Sequence, residues 1–122
     1  MPDDRIDGFS AEVIHRDGAA VVVVRGDVDL STAIRFRAAL AAALDGGERV
    51  EVDLRDTTFM DSTGLAALLA VHRRLSQARE AVVIHDPSPP VRLLLDISGV
   101  TGLVDVRTDG ARPSPRGRAD RV

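Results

Sequence analysis

The chain has 122 residues and a formal charge of −3, which is enough for one folded domain and no more. It contains neither cysteine nor lysine, so disulfides, thiolate metal sites, the usual P-loop and lysine-based catalysis are excluded. The acidic balance and the scarcity of aromatic residues argue against direct nucleic-acid binding, and no apolar run is long enough to span a membrane.

The first predicted element is a β-hairpin. A strand over 10–16 is followed by Asp17-Gly18, a dipeptide that favours the positive φ angles of a two-residue turn. The next strand, over 20–25, contains four consecutive Val. A β-branched run that is apolar on both sides is typical of a central strand covered on both faces.

Helices and strands then alternate. Ser31 is the expected N-cap of a helix over 32–44, and alternating apolar residues predict a strand over 49–54. A loop over 55–61 leads into a second helix over 62–77. The stripe of this second helix that should face the core consists of Leu65, Leu68, Leu69, His72 and Leu75.

The rest of the chain adds a strand over 81–85, a third helix from Pro87–Pro90 to Asp96, and a last strand over 103–106. The order β-β-α-β-α-β-α-β predicts an α/β domain over 8–106 with a mixed, mostly parallel central sheet. Residues 107–122 contain five Arg and two Asp, a charge of +3, and show no hydrophobic periodicity. We therefore predict a disordered tail rich in Pro and Arg over 107–122.

Little in the sequence points to catalysis. The three histidines, His15, His72 and His85, lack metal-ligand spacing, and Ser62 lacks the flanking glycines of a hydrolase nucleophile elbow. No Gly-rich dinucleotide motif is present. We expect no enzymatic activity, no metal and no cofactor.

The most informative segment is the one in which the strand over 49–54 ends and the second helix begins at Asp61-Ser62. Either of these side chains can cap the first helical turn, and on that interpretation Ser62 is a helix cap and nothing more. Ala66, Ala67 and Ala70 are predicted to form a flat face off the apolar stripe, which a partner can approach closely. The alternative is that these alanines are simply good helix formers.

Three segments together resemble the bacterial anti-sigma factor antagonists, a family of STAS-domain proteins. The residues from Val52 to Leu69, ending in FMDSTGLAALL, are similar to the family signature. Those from Arg25 to Leu30 resemble the segment before its first helix, and those from Pro90 to Leu95 resemble its third helix. The resemblance covers about residues 10–106 and implies the STAS fold.

The resemblance also implies a function. In this family the first hydroxyl residue of the Asp-Ser-Ser/Thr-Gly segment is phosphorylated by the anti-sigma factor, a serine/threonine protein kinase, and that position here is Ser62. The unphosphorylated protein binds the anti-sigma factor and releases the sigma factor, and a serine phosphatase resets the switch. The predicted partner-binding residues are Asp27, Asp29, Asp61, Ser62, Thr63, Gly64, Ala66, Ala67 and Ala70.

Other roles for such a module stay open at this point. A STAS module can instead serve a stress-sensing or lipid-transport complex, or bind a nucleotide. Thr63 is a second candidate acceptor of phosphate, and the residues after Arg107 do not resemble the fourth helix that family members usually carry. The acidic, polar N-terminus is unlike a secretory signal, so we expect a cytoplasmic protein; the oligomeric state is left open.

Overall fold

The computed structural model describes residues 8–108, which form one five-stranded sheet and three α-helices. The elements in chain order are β1 (Ser10–Arg16), β2 (Ala19–Val28), α1 (Ala33–Asp45), β3 (Arg49–Met60), α2 (Ser62–Ser76), β4 (Val83–His85), α3 (Pro89–Ser98) and β5 (Asp105–Arg107). A short 3-10 turn, Val100–Gly102, lies between α3 and β5. The predicted order of strands and helices is confirmed.

The strands lie in the sheet in the same order as in the chain. β1 pairs antiparallel with β2, whereas the pairs β2–β3, β3–β4 and β4–β5 are parallel. The turn between β1 and β2 places Asp17 at φ 54° and Gly18 at φ 78°, as a two-residue hairpin turn requires. The mixed, mostly parallel sheet and the opening hairpin are therefore as predicted.

All three helices pack on the same face of the sheet. The topology explains this, because parallel strands added one after another through right-handed crossovers place every connecting helix on one side. The core between helices and sheet is built from alternate strand residues and one stripe of each helix. Its fully buried members include Val22, Val52, Ile84, Phe36, Leu40, Leu68 and Leu95.

The opposite face of the sheet carries a smaller apolar cluster. Ala19, Val21 and Val23 of β2 are buried there, and the buried side chains of Glu51 and His85 are hydrogen-bonded, with 2.7 Å between Glu51 Oε1 and His85 Nε2. None of the three helices within residues 8–108 packs on this face. The side chains of β2 are thus buried on both faces, as predicted. The residues that could form a fourth helix follow residue 108 and lie outside the described part of the chain.

The loop predicted over 55–61 is wrong, because β3 continues to Met60. It stays paired with β2 as far as Val28, which lies opposite Met60, but the pairing shifts register twice on the way. Each shift is a bulge or irregularity that interrupts the alternation of inward and outward side chains. The alternating pattern in the sequence therefore stops before the strand does.

Ser31 was expected to cap α1, and this is also wrong. The side chain of Asp29 accepts hydrogen bonds from the backbone N–H groups of Ser31, at 3.0 Å, and Thr32, at 3.2 Å. The hydroxyl of Thr32 donates to the carbonyl oxygen of Asp27 at 2.7 Å, and α1 begins one residue later. An aspartate that bonds the backbone two residues on forms a turn of its own, which here replaces a serine cap.

The last elements differ from the prediction by a few residues. β4 (Val83–His85) is shorter than the predicted strand over 81–85, α3 lies about two residues later, and β5 includes Arg107. The backbone N–H of Asp86 donates to the carbonyl oxygen of Arg107 at 2.8 Å, which ties that residue to the sheet. The predicted tail beyond residue 108 lies outside the described residues.

Candidate functional site

The predicted site residues meet at the edge of the sheet where β2 and β3 end. The backbone N–H of Asp61 donates to the carbonyl oxygen of Val28 at 3.0 Å, so the end of β3 and the start of α2 lie beside the end of β2. Asp27 lies opposite Phe59 in the parallel register. Asp27, Asp29 and Asp61 therefore lie at the same end of the two neighbouring strands.

Asp61, and not Ser62, caps α2. The Asp61 side chain accepts a hydrogen bond from the backbone N–H of Thr63 at 2.8 Å and another from the Thr63 hydroxyl at 2.5 Å. A carboxylate at this position satisfies one of the free N–H groups of the first turn and opposes the positive end of the helix dipole. The interpretation of Ser62 as a helix cap is therefore wrong.

The hydroxyl of Ser62 is accessible. Ser62 is the first residue of α2 and is exposed, and its side chain has no hydrogen-bond partner within residues 8–108. The neighbouring hydroxyl differs, because Thr63 is half-buried and its oxygen is committed to Asp61. Of these two candidate acceptors, Ser62 is the one that an enzyme can reach without breaking an existing hydrogen bond.

Two further carboxylates at this edge are engaged within the chain. The Thr58 hydroxyl donates to the exposed side chain of Asp27 at 2.5 Å. Hydrogen bonds from the hydroxyl and backbone of Ser31 lower the pKa of Asp29 below its usual 3.8, so this carboxyl is ionised at neutral pH. The edge around Ser62 is consequently rich in negative charge.

Gly64 holds the start of α2 against the sheet. It is buried, and a Cβ atom at this position would come within 2.6 Å of Val28 Cγ1 and 2.7 Å of Met60 Cγ. No side chain fits there without movement of its neighbours. Gly64 therefore sets how closely the first turn of α2 approaches the ends of β2 and β3, and it lies beneath the surface that a partner can touch.

The helix face predicted to contact a partner is only partly exposed. Ala66 and Ala70 are exposed, but Ala67 is buried, so placing Ala67 off the apolar stripe is wrong. The residues of α2 that are buried are Gly64, Ala67, Leu68, Val71 and Leu75, whereas Leu65 and Leu69 are only partly buried. The stripe is rotated because small residues of α2 face α1, which packs against it.

Sequence reasoning missed two exposed apolar residues at the same edge. Leu30 is 78% exposed and Phe59 is 46% exposed, and Ile34 near the start of α1 is 66% exposed. A group of exposed large apolar side chains is typical of an interaction surface. The sequence carried a signal for them, since Leu30 and Phe59 belong to the segments that end β2 and β3. The exposure of Phe59 could not be predicted because the register shifts of β3 against β2 interrupt the alternation. Leu30 lies beyond the end of β2, in the turn before α1, where no alternation is present.

The part of the chain that the structure describes shows no sign of a metal centre or a membrane span. No group of three or more His, Asp or Glu side chains within residues 8–108 is arranged to hold a metal ion. None of the helices described there is both long and apolar enough to cross a membrane.

Comparison with known sequences gives the family. A family model described as "Mlab, STAS domain" matches residues 12–105. BtrV of Bordetella bronchiseptica is 34% identical over 91 residues, which cover 74% of this chain and 78% of that protein. An anti-sigma F factor antagonist of Paenibacillus polymyxa is 29% identical over 97 residues, covering 78% of this chain and 83% of that protein.

Solved structures share the fold. An anti-sigma factor antagonist from Mycobacterium paratuberculosis superimposes with a TM-score of 0.75 at 24% identity, covering 83% of this chain and 86% of the other. SpoIIAA in its unphosphorylated form gives a TM-score of 0.65 at 25% identity, covering 84% and 90%. The phosphorylated form of SpoIIAA from Bacillus gives 0.61 at 24% identity, covering 84% and 93%. The sheet, the helix order and the sequence matches agree: the chain belongs to the STAS-domain family, in which its relatives include anti-sigma factor antagonists.

Proposed function

We propose that this protein is an anti-sigma factor antagonist that is switched off by phosphorylation of Ser62. In the unphosphorylated state it binds an anti-sigma factor that is a serine/threonine kinase, so that the sigma factor is released. A serine phosphatase restores the active state. The protein itself acts in the cytoplasm as a kinase substrate and binding module, without catalytic activity.

The observation that carries this proposal is the state of the Ser62 hydroxyl. It is exposed at the first residue of α2 and unbonded within residues 8–108, beside a threonine hydroxyl that is already bonded to Asp61. SpoIIAA, a protein of the same fold, exists in unphosphorylated and phosphorylated forms. The family relationship and the accessible serine together support phosphorylation at this position.

The electrostatics of the edge support a change in binding without unfolding. A phosphate adds about −1.5 to −2 charges and three acceptor oxygens to a surface that already carries Asp27, Asp29 and Asp61. The first turn of α2 tolerates the added anion because helix N-termini favour negative charge. The phosphate therefore changes what a partner meets, and it removes no hydrogen bond on which the fold depends.

The experiment incubates the protein with a candidate anti-sigma factor kinase and ATP and maps the modified residue by mass spectrometry. Ser62→Ala should abolish phosphorylation and retain binding, and its free energy of unfolding should change by no more than about 0.5 kcal/mol, since Ser62 is not the cap. Ser62→Asp should weaken binding, less strongly than a phosphate does. Ser76→Ala, an exposed serine at the other end of α2, is the matched control and should behave like the wild type.

Two results would contradict the proposal. Phosphorylation of Ser62→Ala to the wild-type stoichiometry would place the modification at another hydroxyl, with Thr63 the first to examine. Equal affinity of the phosphorylated and unphosphorylated proteins for the kinase would show that phosphorylation does not control binding. Far-UV circular dichroism of each variant shows that any loss of binding is not a loss of fold.

A further inference from the structure

A groove between α1 and α2 lies on the outer, helical surface of the domain. It has a cavity volume of about 200 Å³. Its lining residues are apolar apart from two arginines; they are Arg37, Leu40, Ala41 and Leu44 of α1 and Ala67, Ala70, Val71 and Arg74 of α2. Only Ala67 and Ala70 among these belong to the predicted partner-binding residues.

The two arginines give the groove a positive charge that no ion pair within residues 8–108 neutralises. Arg37 and Arg74 are exposed, and neither forms an ion pair with any residue among 8–108. Arg55 pairs with Asp86 and Arg92 with Asp96, whereas Arg73 and Arg79, like the two groove arginines, form no ion pair within residues 8–108. No Asp or Glu lines the groove. A positive, apolar groove on an acidic protein is complementary to an apolar segment that carries carboxylates.

The size of the groove indicates what kind of occupant it takes. A volume of about 200 Å³ is below the roughly 300–1,000 Å³ of sites that enclose a small-molecule ligand. It is suited to a few aliphatic side chains that project from one face of a helix, and a groove between two helices is a common seat for such a helix. The small side chains of Ala41, Ala67 and Ala70 let the backbone of the occupant come close.

We propose that the α1–α2 groove binds an acidic amphipathic helix of the partner protein, with aliphatic side chains in the groove and carboxylates against Arg37 and Arg74. This inference rests on the proposed function, because the partner is the same anti-sigma factor kinase. Arg74 lies twelve residues beyond Ser62 on α2, about 18 Å along the helix axis. Ala67, at the near end of the groove, lies only five residues beyond Ser62, so the groove extends from near the site of phosphorylation and its far end, at Arg74, is a second contact.

The test measures binding of the purified kinase that phosphorylates Ser62, using two kinds of groove variant. Arg37→Glu combined with Arg74→Glu should weaken binding about tenfold and reduce its dependence on salt. Ala41→Leu, which fills the groove without a change of charge, should weaken it similarly. The controls are Ala42→Leu, at an exposed neighbour that does not line the groove, and Arg79→Glu, at an exposed arginine beyond the end of α2. Both control variants should bind the kinase with a Kd within about twofold of the wild-type value.

Two further readouts distinguish docking from the switch. Groove variants should raise the KM of the kinase for this protein while kcat and the final stoichiometry at Ser62 stay unchanged. Ser62→Asp should weaken binding by the same factor in the wild type and in Arg74→Glu, because changes about 18 Å apart along α2 are additive. Phosphorylation of Ser62 with normal stoichiometry in every groove variant confirms that the proposed function still holds.

The proposal is overturned if the kinase phosphorylates Ser62 but binds the groove variants as tightly as it binds the two controls. It is also overturned if wild-type protein is a dimer that Ala41→Leu dissociates, which would make a second copy the occupant. Laurate binding, measured by calorimetry and lost in Ala41→Leu, would assign the groove to an acyl chain instead. A kinase that neither binds nor modifies the wild-type protein overturns both this inference and the proposed function.

Discussion

Replacing Gly64 by Ala tests how tightly the start of α2 is held against the sheet. The added Cβ would lie 2.6 Å from Val28 Cγ1, about 0.8 Å closer than the 3.4 Å at which ordinary contact begins. Val28 is fully buried and has a stiff β-branched side chain, so it cannot move away cheaply, whereas the flexible Met60 can. The steric conflict with Val28 therefore makes Gly64→Ala destabilising.

The magnitude follows from two opposing contributions. Overpacking a well-packed core costs about 1–3 kcal/mol, and replacing a helical Gly by Ala recovers up to about 1 kcal/mol of helix propensity. The expected net loss for Gly64→Ala is about 1–2 kcal/mol, which corresponds to a decrease in Tm of roughly 5–10 °C for a domain of this size. Gly46→Ala is the matched control, because its Cβ would meet nothing closer than 3.6 Å, and its Tm should not fall.

Thermal unfolding followed by circular dichroism measures both variants, and the double variant Gly64→Ala, Val28→Ala checks the cause. If Val28 is the obstacle, removing its Cγ atoms makes the loss in the double variant smaller than the sum of the two single losses. A Tm for Gly64→Ala equal to or above that of the wild type would refute the reasoning. Such a result would mean that α2 can shift outward at no cost.

Two further outcomes test the cap of α2 and the buried hydrogen bond between Glu51 and His85. Asp61→Ala should lower the free energy of unfolding in urea by about 1 kcal/mol, because the Thr63 N–H loses its acceptor. The control Asp45→Ala replaces an exposed aspartate and should have little effect. Equal effects of the two variants would contradict the assignment of Asp61 as the cap. Burial by itself would raise the pKa of Glu51, but hydrogen bonds from His85 and Arg49 outweigh it and hold this pKa below its usual 4.5. The stabilisation of the fold by the ionised Glu51 is therefore complete above pH 4.5 and is lost as the pH falls through the lowered pKa. Glu51→Gln should make the free energy of unfolding in urea decline less steeply between about pH 5 and pH 3. The same slope in the variant and the wild type would contradict this account.

The parts of the fold that the sequence predicted are those with strong local signals. Asp17-Gly18 between two apolar runs identified the hairpin, and the order of elements followed from alternating periodicities. The position of Ser62 at the start of α2 also followed from local sequence, since Asp61 and Gly64 mark a helix that begins at the end of a strand. Each of these features depends on a few neighbouring residues and not on how distant elements pack.

The errors arose where packing between distant elements decides the structure. The end of β3 was missed because two shifts of register against β2 interrupt its alternation, and only the partner strand shows that the pairing continues. Ala67 was placed on the surface because a hydrophobicity pattern ranks Leu65 and Leu69 above it. Where two helices approach closely, small side chains face each other, so residue size and not hydrophobicity decided which residues of α2 are buried.

The hydrogen bonds of the acidic edge around Ser62 support our proposal that a phosphate there changes binding and leaves the fold intact. The carboxylate of Asp61 is bonded to Thr63, that of Asp29 holds the turn before α1, and that of Asp27 accepts from Thr58. Each carboxylate is held in place by its own hydrogen bonds, so none can turn away from a new negative charge without losing them. The added charge therefore stays concentrated at the surface, where the helix N-terminus offsets it only in part. In the proposed switch, the charge that remains repels a partner whose carboxylates or carbonyl oxygens face this edge, so the phosphate lowers the affinity for the partner and leaves the stability of the fold nearly unchanged.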